Sequence, residues 1–468
     1  MARLNSGDVI DGFLLGEKLA SGGMGSLWHA TKPGITYPLL LKVPFFDPGQ
    51  DVSTIVGYEV EEMILKRLSG PHVPRFAGAG DLAETPYIAM EFVKGEALAD
   101  IVAKAPVSAH EVTRIGTLIA NALASIHRQN VSHLDLKPEN VILAERGAVL
   151  IDFGLARHFE LPDLLGEESS VPMGTPAYIS PEQVLGNRNN PSSDIFALGC
   201  ILYELATGTK PFGEPTTTAG MKRRIYHSPQ SPRELQRSVP RSLAAVIMRC
   251  LEVDPLRRYV MAGNVAFDLA NPEQVAVQSE TRGGGGVLGR IRGLFSPKKT
   301  VDLTSSTRNV GGEGRAVVLV AVDLADGSDA LAEQVRLEAQ RVLAASPGAR
   351  LACLTVLKTE LLGAEADLDA LGRSAYVNRL VALKDWAQPI GLPDDIVSYH
   401  VVEAFSPAGA ILQYAKHNDV GHIVLGARAS SALRRHLGSV SAEVVAEALC
   451  SVSVVRVKRI EERARDAA

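Results

Sequence analysis

The stretch His133-Leu134-Asp135-Leu136-Lys137-Pro138-Glu139-Asn140, followed by Asp152-Phe153-Gly154, decides how this chain is read. It sets a carboxylate, a lysine and an asparagine at fixed offsets on a loop and adds a second carboxylate just downstream. Phosphoryl transfer calls for these parts: a group that orients a hydroxyl, a cation for the migrating charge, and oxygen ligands for magnesium.

The bulk composition leaves room for that chemistry and more. The 468 residues are 46% hydrophobic and 22% charged, with a formal net charge of -5. That length suggests about two to four domains of a soluble globular protein. The mildly acidic balance gives no argument for nucleic acid as a partner. Cys200, Cys250, Cys353 and Cys450 lie far apart without a CxxC pair, so they read as small buried hydrophobes in a reducing compartment. The N-terminus lacks an apolar signal core and no apolar run reaches membrane-spanning length, which predicts a cytoplasmic protein.

Patterning is continuous over residues 8–272. Residues 273–313 then include Arg282-Gly-Gly-Gly-Gly, the basic Arg290, Arg292, Lys298 and Lys299, and Thr304-Ser-Ser-Thr, a composition that reads as a flexible linker. The apolar residues from Val287 to Phe295 raise a weak surface anchor for acidic lipids, or a docking helix, as the sharper reading. The glycines oppose a helix there and favour a solvated tether. Residues 314–460 change pattern again. Ala316–Val322, Leu351–Leu357, Val397–Val402, His422–Leu425 and Val452–Val457 are short apolar runs, as strands buried on both faces would be. Helical spacing at Leu331, Val335, Ala339 and Val342, capped by Ser328-Asp329, and helical segments at Ala408–His417 and Ser441–Leu449 alternate with them. Such alternation predicts an α/β domain with a mostly parallel sheet.

With Asp135, Lys137, Asn140 and Asp152 in place, the first part, from about Val9 to Asp268, resembles bacterial eukaryotic-like serine/threonine protein kinases. Leu19-Ala-Ser-Gly-Gly-Met-Gly-Ser-Leu is similar to their glycine-rich phosphate loop, and Ala20, Ser21, Gly22, Gly23, Gly25 and Leu27 are its implied nucleotide contacts. Leu39-Leu-Leu-Lys42 resembles the strand that carries the phosphate-binding lysine, which makes Lys42 that cation, with Leu40 against the adenine. Glu61 is the implied helix partner of Lys42, because Leu68 follows it at the family's spacing. Tyr87-Ile-Ala-Met-Glu-Phe-Val resembles the hinge, with Met90 as gatekeeper and Glu91 and Val93 bonding adenine through their backbones. Glu96 is placed for the ribose and Leu143 for the base.

The resemblance further implies that Asp135 orients the substrate hydroxyl, that Lys137 steadies the transferring phosphate, and that Asn140 and Asp152 hold Mg2+. Lys137 together with Thr175 of Gly174-Thr-Pro-Ala-Tyr marks serine/threonine specificity. Glu182 is expected to pair with Arg258, and Asp194 to brace the catalytic loop. Leu65, Phe76, His133 and Phe153 occupy the positions of the apolar spine that joins the two lobes. Three departures stand out: Ala20 for a glycine, Leu40 for an alanine, and Leu134 where regulated kinases have an arginine that grips an activation-segment phosphate. Ser169 and Ser170 are the hydroxyls available in Leu155–Met173, and Leu134 implies an enzyme not switched on through them.

The last part, from about Arg315 to Lys458, resembles a universal stress protein domain. Asp323 ends the first strand as that family's nucleotide-contacting aspartate does. Gly426-Ala-Arg-Ala through Gly438-Ser439 is similar to its phosphate motif, with Ala429 for a glycine and a spacer one residue shorter. The whole chain is thereby expected to join an α+β bilobal kinase fold to an α/β parallel-sheet domain. It would use ATP and Mg2+ to phosphorylate serine and threonine on proteins and itself. The stress domain would sense nucleotide or dimerise through its last strand. A pseudokinase scaffold is the alternative, carried by Ala20 and Leu40; a third reading makes the stress domain the sensor and the kinase its output.

Overall fold

The computed structural model describes residues 4–22, 25–45, 52–169, 171–276, 315–324, 330–358, 374–427 and 438–457. Residues 277–313 of the tether lie outside these residues, as does the cap at Ser328-Asp329.

The N-terminal lobe starts with β1 (Val9–Ile10), β2 (Phe13–Gly22), β3 (Gly25–Thr31) and β4 (Leu39–Pro44), followed by α1 (Val52–Leu65), β5 (Phe76–Ala79) and β6 (Ile88–Glu91). The strands form one antiparallel sheet in the order β1-β2-β3-β4-β6-β5. Strand alternation sorts β4 into two faces. Leu39, Leu41 and Val43 pack with Phe13, Leu15 and Trp28, so Leu40 and Lys42 face the other way, towards the cleft.

The second lobe is mainly helical. It comprises β7 (Glu96–Ala97), α2 (Leu98–Val102), α3 (Ala109–His127), β8 (Val131–Ser132), β9 (Val141–Ala144), β10 (Gly147–Leu150), β11 (Arg157–His158), α4 (Leu164–Glu168), α5 (Pro181–Val184) and α6 (Ser192–Thr207). The short α7 (Thr218–Lys222) and α8 (Pro232–Leu235) lead into α9 (Arg241–Cys250) and α10 (Ala262–Ala270). Helix α3 begins at Ser108, whose hydroxyl accepts from the Glu111 amide at 3.2 Å. Val112, Ile115, Ile119, Leu123 and Ile126 make its buried stripe. Gly116 lets α6 approach, since a Cβ there would lie 2.6 Å from Leu202. Helix α6 is buried nearly all round and ends at Gly208, whose φ of 74° suits glycine.

The C-terminal domain runs β12 (Val317–Ala321), α11 (Ala330–Ala344), β13 (Arg350–Lys358), α12 (Ala375–Ala387), β14 (Val397–Ala404), α13 (Pro407–His417), β15 (Val420–Gly426), α14 (Ser439–Glu447) and β16 (Ser451–Val455). Its five strands are all parallel, ordered β14-β13-β12-β15-β16. Val318 and Val320 point to the α11 and α12 layer, Val317 and Leu319 to the α13 and α14 layer. Each strand expected from the sequence is present with ends shifted by a residue or two. Helix α12 is an addition to that reading. Its buried Tyr376, Val377, Leu380, Leu383 and Ala387 follow helical spacing, and Ser374 caps it by accepting from the Val377 amide at 3.4 Å. The apolar face is broad enough to blur its periodicity in the sequence. No helix among the described residues is long and apolar enough to cross a membrane.

Candidate active site

The upper wall of the cleft is built on β2, β3 and β4. Ala20 pairs with Leu27, Ser21 with Ser26 and Gly22 with Gly25 across a tight hairpin; Gly23 lies outside the described residues. Gly25 cannot be replaced without cost, because its φ is 153° and a Cβ would meet the Val43 carbonyl at 2.4 Å. Lys42, one residue back from Val43 along β4, puts its Nζ 2.5 Å from Glu61 Oε2 on α1 and 3.2 Å from Asp152 Oδ1. Burial pulls the Lys42 ammonium down, but the two carboxylates outweigh it and hold its pKa above the ordinary value. The same ammonium keeps Asp152 below the usual carboxylate range against its own burial.

The hinge follows at β6. Leu40 is registered against Met90, which is buried, and Leu39 against Glu91. Arg146 clamps the Glu91 carboxylate at 2.6 and 3.0 Å, and the Glu91 amide donates to the Arg75 carbonyl at 2.9 Å. The Val93 amide has no protein acceptor among the described residues. Glu96 is the register partner of Leu143 on β9, so these two residues lie side by side. Glu96 also lies 3.6 Å from Lys104.

The lower wall is the catalytic loop, and one buried carboxylate sets its shape. Asp194, at the start of α6, accepts from the His133 amide at 2.9 Å and the Leu134 amide at 2.8 Å, and meets the His127 ring at 2.8 Å. This holds Leu134 at φ 59°, a conformation that a branched side chain rarely adopts. Asp135 is delivered next into the cleft. Its Oδ1 receives the amide and hydroxyl of Thr175, at 2.8 and 2.7 Å, and its Oδ2 lies 2.9 Å from Lys137 Nζ. Asn140 donates its amide nitrogen to the Asp135 carbonyl at 3.0 Å, which leaves its amide oxygen as the ligand atom. Asp152 is also left-handed, with φ 62°. Asn140 and Asp152 supply the hard oxygen donors that a divalent cation takes. Among the described residues no group of three or more His, Cys, Asp or Glu side chains makes a metal site by itself.

Behind the site, the His133 and Phe153 rings lie 5.0 Å apart, and Leu65 and Phe76 pack in the same core. Glu182 and Arg258 form a fully buried pair at 2.6 and 2.8 Å.

In the C-terminal domain the strand order reverses between β12 and β15, and ligand crevices in open α/β sheets form at the carboxyl ends of such strands. Asp323 follows β12 and Gly426 ends β15 there, while Gly438 is the N-cap residue of α14 and Ser439 its first residue. A Cβ on Gly426 would meet Leu331 at 2.9 Å. The loop between Gly426 and Gly438 lies largely outside the described residues.

The family model of the protein kinase domain matches residues 15–266, more than half of the chain. The chain belongs to the protein kinase family. The universal stress protein family model matches residues 315–456, so the kinase carries such a domain behind it. A probable serine/threonine-protein kinase of Clostridium perfringens is 31% identical over 254 residues, covering 54% of this chain and 37% of that protein. The serine/threonine-protein kinase PknB of Mycobacterium tuberculosis is 29% identical over 329 residues, 66% of this chain and 52% of that one. This chain therefore spans about half or less of the length of these relatives. The solved kinase domain of PknI from Mycobacterium tuberculosis aligns at 23% identity and a TM-score of 0.46, covering 58% of this chain and 100% of that one.

Several residues of this kinase carry the site without a sequence signal that marks them. Gln183 donates to the Leu134 carbonyl at 2.8 Å and so ties α5 to the catalytic loop. Arg224, buried at the end of α7, donates to the Ile179 and Pro176 carbonyls and fixes the segment after Thr175. Arg157 and Arg188 both bind Asp163, at 2.5 and 3.2 Å. Only the basic residue three positions after Asp152-Phe153-Gly154 was a visible hint; the others are set by tertiary contacts.

Proposed function

We propose that this chain is a magnesium- and ATP-dependent serine/threonine protein kinase acting in the cytoplasm on protein hydroxyls, its own included. The observation that carries the reading is the opposition of two charged sets across one cleft: Lys42 bridged to Glu61 and Asp152, and Asp135 bridged to Lys137 and Thr175. Chains of this kind place a cation on the phosphates and a carboxylate on the incoming hydroxyl.

In this reading the amides of Ala20, Ser21, Gly22, Gly23 and Gly25, with Leu27 beneath, cover the phosphates. Leu40, Met90 and Leu143 enclose the base, the Glu91 and Val93 backbones bond its edge, and Glu96 takes the ribose. Asp135 orients the hydroxyl and receives its proton as the bond to phosphorus forms. Lys137 keeps the charge on the transferring group compensated, and Thr175 holds the Asp135 carboxylate at a fixed angle. Magnesium held by Asn140 and Asp152 would neutralise phosphate charge when bound. Residues 8–272 would be the catalytic domain, 273–313 the tether and 314–460 the stress domain. That domain's Asp323, Gly426, Gly438 and Ser439 would take a second nucleotide, and its edge strand β16 would pair two copies.

Purified protein incubated with labelled ATP and magnesium should label itself, and Asp135→Asn or Lys42→Met should abolish the label without unfolding the protein. Losing the oriented carboxylate or the phosphate cation costs about 10²- to 10⁴-fold in such mechanisms. Undiminished label in either variant overturns the assignment.

A further inference from the structure

The activation segment of the kinase is seated in the C-terminal domain. Helix α4 lies between Asp152-Phe153-Gly154 and Ser180-Pro181-Glu182, and its Glu167 side chain is only 6% exposed. Among the described residues, every side chain bonded to that carboxylate comes from beyond the tether. Arg350 Nη1 lies 2.9 Å from Oε1, while Ser398 Oγ, His400 Nε2 and Tyr414 OH lie at 3.0, 2.9 and 2.8 Å from Oε2. The other ring nitrogen of His400 meets Glu168 at 3.2 Å. Backbone carbonyls are bound too: His417 meets Gly166 O at 2.8 Å and Asn418 donates to Glu167 O at 3.1 Å. At its other end Asp163 caps α4, accepting from the Gly166 amide at 3.3 Å, and is held by Arg157 and Arg188.

A second contact reaches α1. Lys384 of α12 pairs with Glu59, two residues before the Glu61 that binds Lys42. Tyr376, Val377, Leu380 and Val401 of the C-terminal domain belong to the same buried cluster as Ile55, Val60 and Leu165 of the kinase half. The second domain thus touches two elements that must be in place for phosphotransfer. Leu134 is apolar and buried, so it offers an activation-segment phosphate no grip.

We propose that the C-terminal domain is a built-in positioning partner of the kinase. Its Arg350, Ser398, His400 and Tyr414 form a socket for the α4 carboxylate Glu167, Lys384 holds α1 through Glu59, and this docking stands in for a phosphate on the activation segment. Glu167 and Glu59 are positioning residues that act through α4 and α1. The proposal rests on the kinase reading above, and its test has one arm that does not require activity.

The test compares the full-length protein with Glu167→Ala, Lys384→Glu, the charge-swapped pair Glu59→Lys with Lys384→Glu, and the exposed-surface control Glu443→Gln. Hydrogen exchange over residues 155–169 and α1 is read alongside peptide phosphorylation. Glu167→Ala should speed exchange in α4. It should lower kcat on the order of tenfold to a hundredfold, as misplacement of about 1 Å does, with nucleotide affinity little changed. Lys384→Glu should loosen α1, and the swapped pair should recover. Unchanged exchange in Glu167→Ala would show that the socket does not hold the segment, whether or not the protein is active. Faster exchange with unchanged or higher kcat would overturn positioning and make the domain a passenger or a brake.

Discussion

Leu134 changes what the catalytic loop can respond to. Its amide is bound by Asp194 and its carbonyl by Gln183, so the backbone shape of the loop is fixed without help from its side chain. An arginine at this position would add a cation facing the activation segment, and leucine adds none. The segment meets its cations elsewhere: Arg157 and Arg188 are already occupied by Asp163, whose carboxyl is held below the usual carboxylate range, burial being outweighed by the two guanidiniums. A phosphate on Ser169 or Ser170 would have to compete with that aspartate. Replacing both serines with alanine should therefore leave most kinase activity intact, measured as the initial rate of peptide phosphorylation. A large loss restored by acidic replacements would show that a cation grips a phosphate after all.

At the scale of elements, the seating of α4 depends on proton occupancy. Both nitrogens of the His400 ring face carboxylate oxygens, of Glu167 and of Glu168, and carboxylates only accept. With both carboxylates ionised, the ring carries both protons. Burial alone would lower its pKa, but the two carboxylates raise it to about 9. Burial would likewise raise Glu167, but His400, Arg350 and Tyr414 bring it down to about 2. Glu168 is raised by its burial, and Glu59 of α1 adds like charge beside it. The signs follow from linkage. His400, raised in the folded state, stabilises fully below its unfolded value of about 6.5 and loses that contribution as pH rises through about 9. Glu167, depressed, stabilises above its unfolded value of about 4.3 and loses that contribution as pH falls through about 2. The melting temperature of the full chain should fall between pH 6.5 and 9 more steeply than that of His400→Phe. Parallel pH profiles for the two proteins would remove His400 from the linkage.

For the whole molecule, the composition of the tether and the packing of the domains point in opposite directions. Glycines and like charges predict two independent units, yet the described residues bury a shared apolar core and a shared carboxylate. The sheet of the second domain still presents its switch-point edge, with Asp323 and Gly426 at the strand ends and Gly438 and Ser439 starting α14. Calorimetry on full-length Lys42→Met should show nucleotide binding that Asp323→Ala weakens and Gly438→Val obstructs. Binding untouched by both would place that nucleotide elsewhere. Much of this protein was legible in local sequence. Asp135, Lys137, Asn140 and Asp152 sit on one loop system whose spacing is short-range, and the buried strands of the second domain are continuous apolar runs. Helix α12 escaped because its broad apolar face hides its period. The socket around Glu167 escaped for a different reason: Arg350, Ser398, His400 and Tyr414 lie on three elements some two hundred residues away, and nothing local distinguishes them from ordinary polar residues. Sequence determined which chemistry the chain is equipped for, because catalytic groups sit at fixed offsets on short loops. Only the tertiary structure decided what holds those loops in place, because the burial of a charge is settled by partners that arrive from another domain.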